Sequence, residues 1–164
     1  MNKSLRIVFA CALLFNLASC GGGGGGSSGS TAPSCSSGSS AGSGSASVTA
    51  LKYTDTVVGT GAAAADGNTL TVNYTGWLYS STATNNEGTE FGTSGGTPFS
   101  FVLGNAGAGG VIPGWNQGLV GMQAGGTRIL IIPSSLAYGS CPAPGSPIPP
   151  DSALVFQVTL NSIN

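Results

Sequence analysis

The chain has no histidine, and charged residues make up only 5% of it. The first absence removes every Ser-His-Asp or Cys-His arrangement, because each needs an imidazole as its base. It also removes the commonest zinc ligand. No close cluster of cysteines or carboxylates stands in its place, so no metal is expected. The scarcity of cations excludes a second class of function. Beyond Lys3 and Arg6 only Lys52 and Arg128 are positive, against Asp55, Asp66, Glu87, Glu90 and Asp151. Such a surface has no electrostatic footprint for nucleic acid and little with which to hold an anionic substrate. No internal repeat is visible.

What is present begins with a leader. Lys3 and Arg6 precede the apolar run IVFACALLFNL, which is too short to span a bilayer comfortably, and LASC closes it with small residues. That is the pattern of a secretory signal. Leu17-Ala18-Ser19-Cys20 resembles the lipobox of bacterial lipoproteins. The resemblance implies a signal peptide over residues 1–19, cleavage before Cys20, a diacylglyceryl thioether on its sulfur and an acylated amino group. Several acyl chains, at roughly 0.8 kcal/mol per buried methylene, hold a protein on a membrane durably. Gly21 after the cysteine favours the outer membrane. The expected location is therefore the bacterial cell envelope, facing periplasm or surface, with membrane contact through the lipid anchor alone.

Residues 20–48 form the lipidated cysteine and a Gly/Ser-rich tether with nothing to bury. Such a coil is expected to stay flexible and to reach about 5–6 Å × √n. Residues 49–164 make one domain, expected to be a monomer. Cys35 in the tether and Cys141 in a proline-rich loop either pair in an oxidising compartment or remain two thiols.

Within the domain, β-branched and aromatic residues with partial alternation predict strands over 51–57, 70–80, 97–104, 128–133 and 153–163. The polar stretch 79–90 reads as an enlarged loop. A helix is predicted over 113–122, where Trp115, Leu119 and Met122 share one face. Its glycines make it weak alone, so tertiary packing must hold it. The fold class is α+β, an antiparallel sheet curved around one short helix. Pro113 suits the first helical position, since its missing N–H would lack an intrahelical acceptor anyway. Ile112 then becomes the N-cap, and its own N–H points outward beside Val111 and the Trp115 indole. A single donor facing an apolar hollow can grip one carbonyl of a bound chain. Taken singly, a tryptophan at a helix start and aromatics on strands are core residues.

Six segments in order change that weighting: VNYTGWL (72–78), GTEFGTS (88–94), PFSFVLG (98–104), VIPGWNQGLVGM (111–122), GGTRILIIPSSLAYG (125–139) and IPPDSALVFQVTL (148–160). Together they resemble the FKBP-type peptidyl-prolyl cis-trans isomerases across nearly all of residues 51–164. The resemblance implies a half-barrel of antiparallel strands wrapped around one helix. It implies Trp115 as the floor of a pocket, with Tyr74, Phe91, Phe99 and Phe156 as walls. Val111 and Ile112 form its rim, and the Ile112 amide receives a substrate carbonyl. Tyr138 supplies a hydroxyl to another carbonyl, and Ile148 flanks the proline site.

The implied activity is isomerisation of X-Pro bonds in proline-containing polypeptides. It needs no cofactor, and macrolide inhibitors are implied as further ligands. One position departs from the family. Aspartate usually follows the wall phenylalanine, whereas Phe91 is followed here by Gly92. The alternative reading is therefore a weakly catalytic proline-peptide-binding module or chaperone.

Overall fold

The computed structural model describes residues 41–105 and 110–164. The expected signal peptide, the lipidation site at Cys20 and the tether as far as residue 40 lie outside the described residues. Among the described residues six strands form one antiparallel sheet that does not close into a barrel: β1 (Lys52–Val57), β2 (Thr69–Tyr79), β3 (Glu87–Thr93), β4 (Phe99–Val102), β5 (Thr127–Ile132) and β6 (Leu154–Ile163). A single α-helix among the described residues, α1 (Pro113–Gly118), lies between β4 and β5.

The strand order is β1-β5-β6-β2-β3, with β4 paired to β2 off that path. The long β2 is the spine. Its residues Leu70–Leu78 pair with β6 along one edge. The other edge is shared, first by β4 against Thr69–Val72 and then by β3 against Thr75–Tyr79. Tyr74 lies where that edge changes partner. Its N–H donates to Ser94 Oγ at 3.1 Å and its carbonyl accepts from Ser94 N–H at 2.9 Å.

Burial follows the period of two that a half-buried strand requires. Arg128, Leu130 and Ile132 of β5 face inward, alternating with more exposed residues. Leu70, Val72, Leu130, Ile132, Leu154, Val158 and Leu160 are fully buried between the sheet and the segment carrying Leu119 and Met122. Glycines that make α1 a poor isolated helix are what let it approach. A Cβ at Gly118 would stand 2.7 Å from Leu130 Cδ2, and one at Gly114 would overlap the Ile132 side chain. The helix is shorter than its hydrophobic face predicts. It ends at Gly118, and the Met122 N–H donates to the Leu119 carbonyl across a turn that contains Gly121, which has φ 76°.

Arg128 closes that end. Its Nη1 donates to the carbonyls of Gly118 at 2.7 Å and Val120 at 3.2 Å, carbonyls that the helix itself leaves unpaired. Its Nε and Nη2 hold Asp55 Oδ1 and Oδ2 at 2.6 and 2.9 Å. The guanidinium also lies 4.4 Å from the centre of the Tyr53 ring.

Two elements differ from the sequence expectation. Strand β3 begins at Glu87, inside the stretch expected to be loop, because bulges and glycines interrupt its alternation. Residues 42–48, expected within the flexible tether, fold back onto the sheet. Ser45–Ser47 form a 3-10 turn, Ser45 is buried, and the Ser81 N–H donates to Ser43 at 2.9 Å. Gly42 lies too close to the Tyr79 carbonyl to carry a side chain. No helix among the described residues is long and apolar enough to cross a membrane.

Candidate active site

Five elements bring aromatic rings to one place. Trp115, on the first turn of α1, is 4% exposed. Tyr74 from β2 and Phe156 from β6 both meet it edge to face, each with centroids 5.3 Å away. Phe99 from β4 stands 6.4 Å from it and 6.2 Å from Tyr74. Phe91 from β3 reaches the group through Phe156, at 5.4 Å. Such T-shaped pairs suit the ring quadrupoles and hold each ring's orientation. The Trp115 indole nitrogen is buried with no hydrogen-bond partner among the described residues.

The local sequence explains how the rings fit. Gly76 of β2 sits beneath Phe91 and Phe156, where a Cβ would come within 2.7 and 2.8 Å of them. Phe91 is the extra residue of a bulge, since Gly76 opposes Gly92 while the next residue, Trp77, opposes Glu90. A bulge re-aims side chains. Gly92, directly opposite Gly76, shares its face of the sheet, and no atom lies within 4 Å of where its Cβ would be. Among the described residues the Tyr74 hydroxyl has no hydrogen-bond partner.

Phe101 completes the ring cluster and was not anticipated from sequence. It lies two residues beyond Phe99 on β4, stacks on it at 5.7 Å and sits 5.6 Å from Trp115. The alternation in Phe99-Ser100-Phe101 carries that signal. Asn116 was missed as well. Its Oδ1 accepts from the Gly104 N–H at 2.9 Å, which ties the end of β4 to the helix bearing Trp115.

At the rim, Val111 and Ile112 are partly buried against the core. Ile112 has φ −57° and ψ 149°, as an N-cap requires. Its carbonyl accepts from the Trp115 N–H at 2.9 Å and the Asn116 N–H at 3.3 Å. No acceptor among the described residues engages its own N–H.

Tyr138 is 44% exposed, while Ile148 is 6% exposed and belongs to the core cluster. The loop between them is closed at its base by the Asp151 N–H donating to Gly139 at 2.9 Å. Cys141 within that loop is disulfide-bonded, and the chain's other cysteines lie outside the described residues. No three His, Cys, Asp or Glu residues among those described are grouped to hold a metal.

A family model described as FKBP-type peptidyl-prolyl cis-trans isomerase matches residues 61–161. The chain is 44% identical over 116 residues to the FKBP-type peptidyl-prolyl cis-trans isomerase FkpA of Escherichia coli K12, covering 70% of this chain and 38% of that protein. It is 44% identical over 107 residues to an FK506-binding protein of Streptomyces anulatus, covering 64% of this chain and 79% of that one. The crystal structure of E. coli FkpA superimposes with a TM-score of 0.58 at 42% identity, over 71% of this chain and 49% of that one. This chain thus spans well under half the length of its E. coli relative. With the fold, the ordered motifs and the family match in agreement, the chain belongs to the FKBP-type peptidyl-prolyl cis-trans isomerase family.

Proposed function

We propose that this protein is a peptidyl-prolyl cis-trans isomerase. It acts as a monomer on proline-containing polypeptides in the bacterial envelope, held there by lipid on Cys20. The observation that carries the proposal is the cluster of Tyr74, Phe91, Phe99 and Phe156 around Trp115, with the Ile112 N–H, which no described acceptor engages, at its edge.

Rotation about an X-Pro bond faces a barrier of ~18–20 kcal/mol, so spontaneous exchange takes tens to hundreds of seconds. Twisting the C–N bond abolishes amide resonance and with it much of the charge separation of the planar amide. Rings of low polarity solvate the twisted form better than the planar one, which is differential binding in favour of the transition state. The Ile112 N–H and the Tyr138 hydroxyl hold carbonyls of the chain while the bond turns. Trp115, only 4% exposed, supplies the base of the site rather than a broad open face. No group needs to gain or lose a proton. Lowering the barrier by about 7–8 kcal/mol would accelerate exchange about 10⁵-fold.

A protease-coupled assay on a proline tetrapeptide tests the proposal. Acceleration above the spontaneous rate, suppressed by a macrolide of the FK506 type, is the expected result. Binding of the peptide with no acceleration would instead support the binding-module alternative, and exchange at the spontaneous rate without binding would sink both.

A further inference from the structure

We propose that Asn116 is a positioning residue of the candidate site: its side-chain amide clips α1 to the end of β4 and so sets the spacing between the Trp115 indole and the Phe99 ring. The kinetic consequence rests on the isomerase function proposed above; the geometric one does not.

The way the two elements are held shows why a clip matters. Strand β4 is 4 residues long and, among the described residues, pairs on one side alone, with Thr69–Val72 of β2. It nevertheless presents two rings to the indole, Phe99 at 6.4 Å and Phe101 at 5.6 Å, themselves stacked at 5.7 Å. A slide of β4 against α1 would move both rings together. Helix α1 rests on β5 through Gly114 against Ile132 and Gly118 against Leu130. Apolar contact of this kind is non-directional and leaves the helix able to shift along its bed. Hydrogen bonds are directional, and they fix a register.

Those bonds are unevenly spread along the helical segment. Its far end is held by Arg128, which takes the carbonyls of Gly118 and Val120. Ala64 holds that end too, its N–H donating to the Met122 carbonyl and its carbonyl accepting from the Gly121 N–H, both at 2.8 Å. In the half that carries Trp115, the polar side-chain tie among the described residues is Asn116. Its Oδ1 accepts from the Gly104 N–H at 2.9 Å, and its Nδ2 donates to the Asn105 carbonyl at 3.4 Å. Acceptor and donor are used together, which fixes the orientation of the amide.

The anchor on the β4 side is itself pinned. The Leu103 N–H donates to the Asn68 carbonyl, and the Leu103 carbonyl accepts from the Gly67 N–H, both at 2.9 Å. Gly104 then turns with φ 84°, and a Cβ there would stand 3.2 Å from Asp66 Oδ1. The turn before β2 thus holds the 103–104 peptide, and Asn116 hangs the Trp115 end of α1 on it. Both Asn116 bonds are solvent-exposed, so water replaces them at modest cost to stability. Their contribution is placement.

Asn116→Leu keeps the branched shape of the side chain and removes both bonds. Its melting temperature should fall by about 5 °C or less. Well below that temperature, KM for a proline tetrapeptide should rise severalfold while kcat changes less. A lowered melting temperature with KM unchanged would overturn the positioning role. In a Phe99→Leu background the same substitution should add little, because the spacing it governs has gone; effects that simply multiply would break the link to Phe99. The two tryptophans give a readout free of activity. In nitrogen-15 NMR spectra of Asn116→Leu, the Trp115 indole N–H resonance should shift while that of Trp77 stays in place. An unmoved Trp115 signal would refute the geometric claim, whether or not the wild type isomerises proline peptides.

Discussion

The indole of Trp115 and the ring of Phe156 meet edge to face, with centroids 5.3 Å apart and planes at 85°. One residue comes from a helix start and the other from the first half of the last strand, so the contact exists only in the folded sheet. Tyr74 meets the same indole at 5.3 Å and 80°, so the indole is held between two ring edges. Replacing Trp115 with leucine keeps an apolar side chain but removes the surface both rings pack against. Isomerase kcat/KM should fall at least about tenfold, equivalent to ~1.4 kcal/mol of transition-state stabilisation. The substitution also removes core volume, so the assay should be run well below the variant's own melting temperature. Full activity in a folded Trp115→Leu protein would remove the indole from the mechanism.

Gly92 offers the opposite kind of test. Nothing lies within 4 Å of its Cβ position, and no described group bonds the Tyr74 hydroxyl. Gly92→Asp therefore introduces a carboxylate without a steric clash, and stability should change by no more than about 0.5 kcal/mol. If a polar partner at this position assists the site, turnover of the proline peptide and affinity for an FK506-type macrolide should both rise. Equal turnover in the two proteins would show that the glycine costs the site nothing.

The contrast between these residues marks what the sequence could convey. Trp115, Tyr74, Phe91, Phe99 and Phe156 were singled out because they fall in ordered motifs, and it is the convergence of their rings that the fold shows. Phe101 was not, because in isolation it is an apolar residue on a strand, and only the register of β4 against β2 turns it toward the indole. Strand β3 was hidden by the bulge at Phe91 and by Gly88 and Gly92, which break the alternation that identifies strands. The docking of residues 42–48 was hidden for a different reason. Glycine and serine give no hydrophobic pattern, and here the small residues serve close approach to Tyr79 and Ser81 rather than flexibility.

Close approach also reverses a general expectation at Gly118. In an exposed helix, replacing glycine with alanine stabilises by about 1 kcal/mol. At Gly118 the new methyl would stand 2.7 Å from Leu130 Cδ2, which is fully buried and has little room to move. Overpacking of this kind costs about 1–3 kcal/mol, so the net effect of Gly118→Ala should be destabilising. Urea denaturation would decide the sign. A midpoint above that of the wild type would mean that α1 can shift away from β5 without penalty.

Arg128 and Asp55 set the last prediction. The guanidinium is buried, and its charge is balanced by one carboxylate and two carbonyls at the end of α1. Removing one partner of a buried pair commonly costs about 3–5 kcal/mol. Asp55 is 34% exposed, which admits water and lowers its share, and Arg128 keeps both carbonyls. Asp55→Asn should therefore destabilise by about 2 kcal/mol, read from denaturant unfolding at neutral pH. Isomerase turnover at a temperature where the variant remains folded should be unchanged, because none of the clustered rings touches the pair. A large loss of turnover with stability intact would instead mean that the charge at the end of α1 acts through the helix on Trp115.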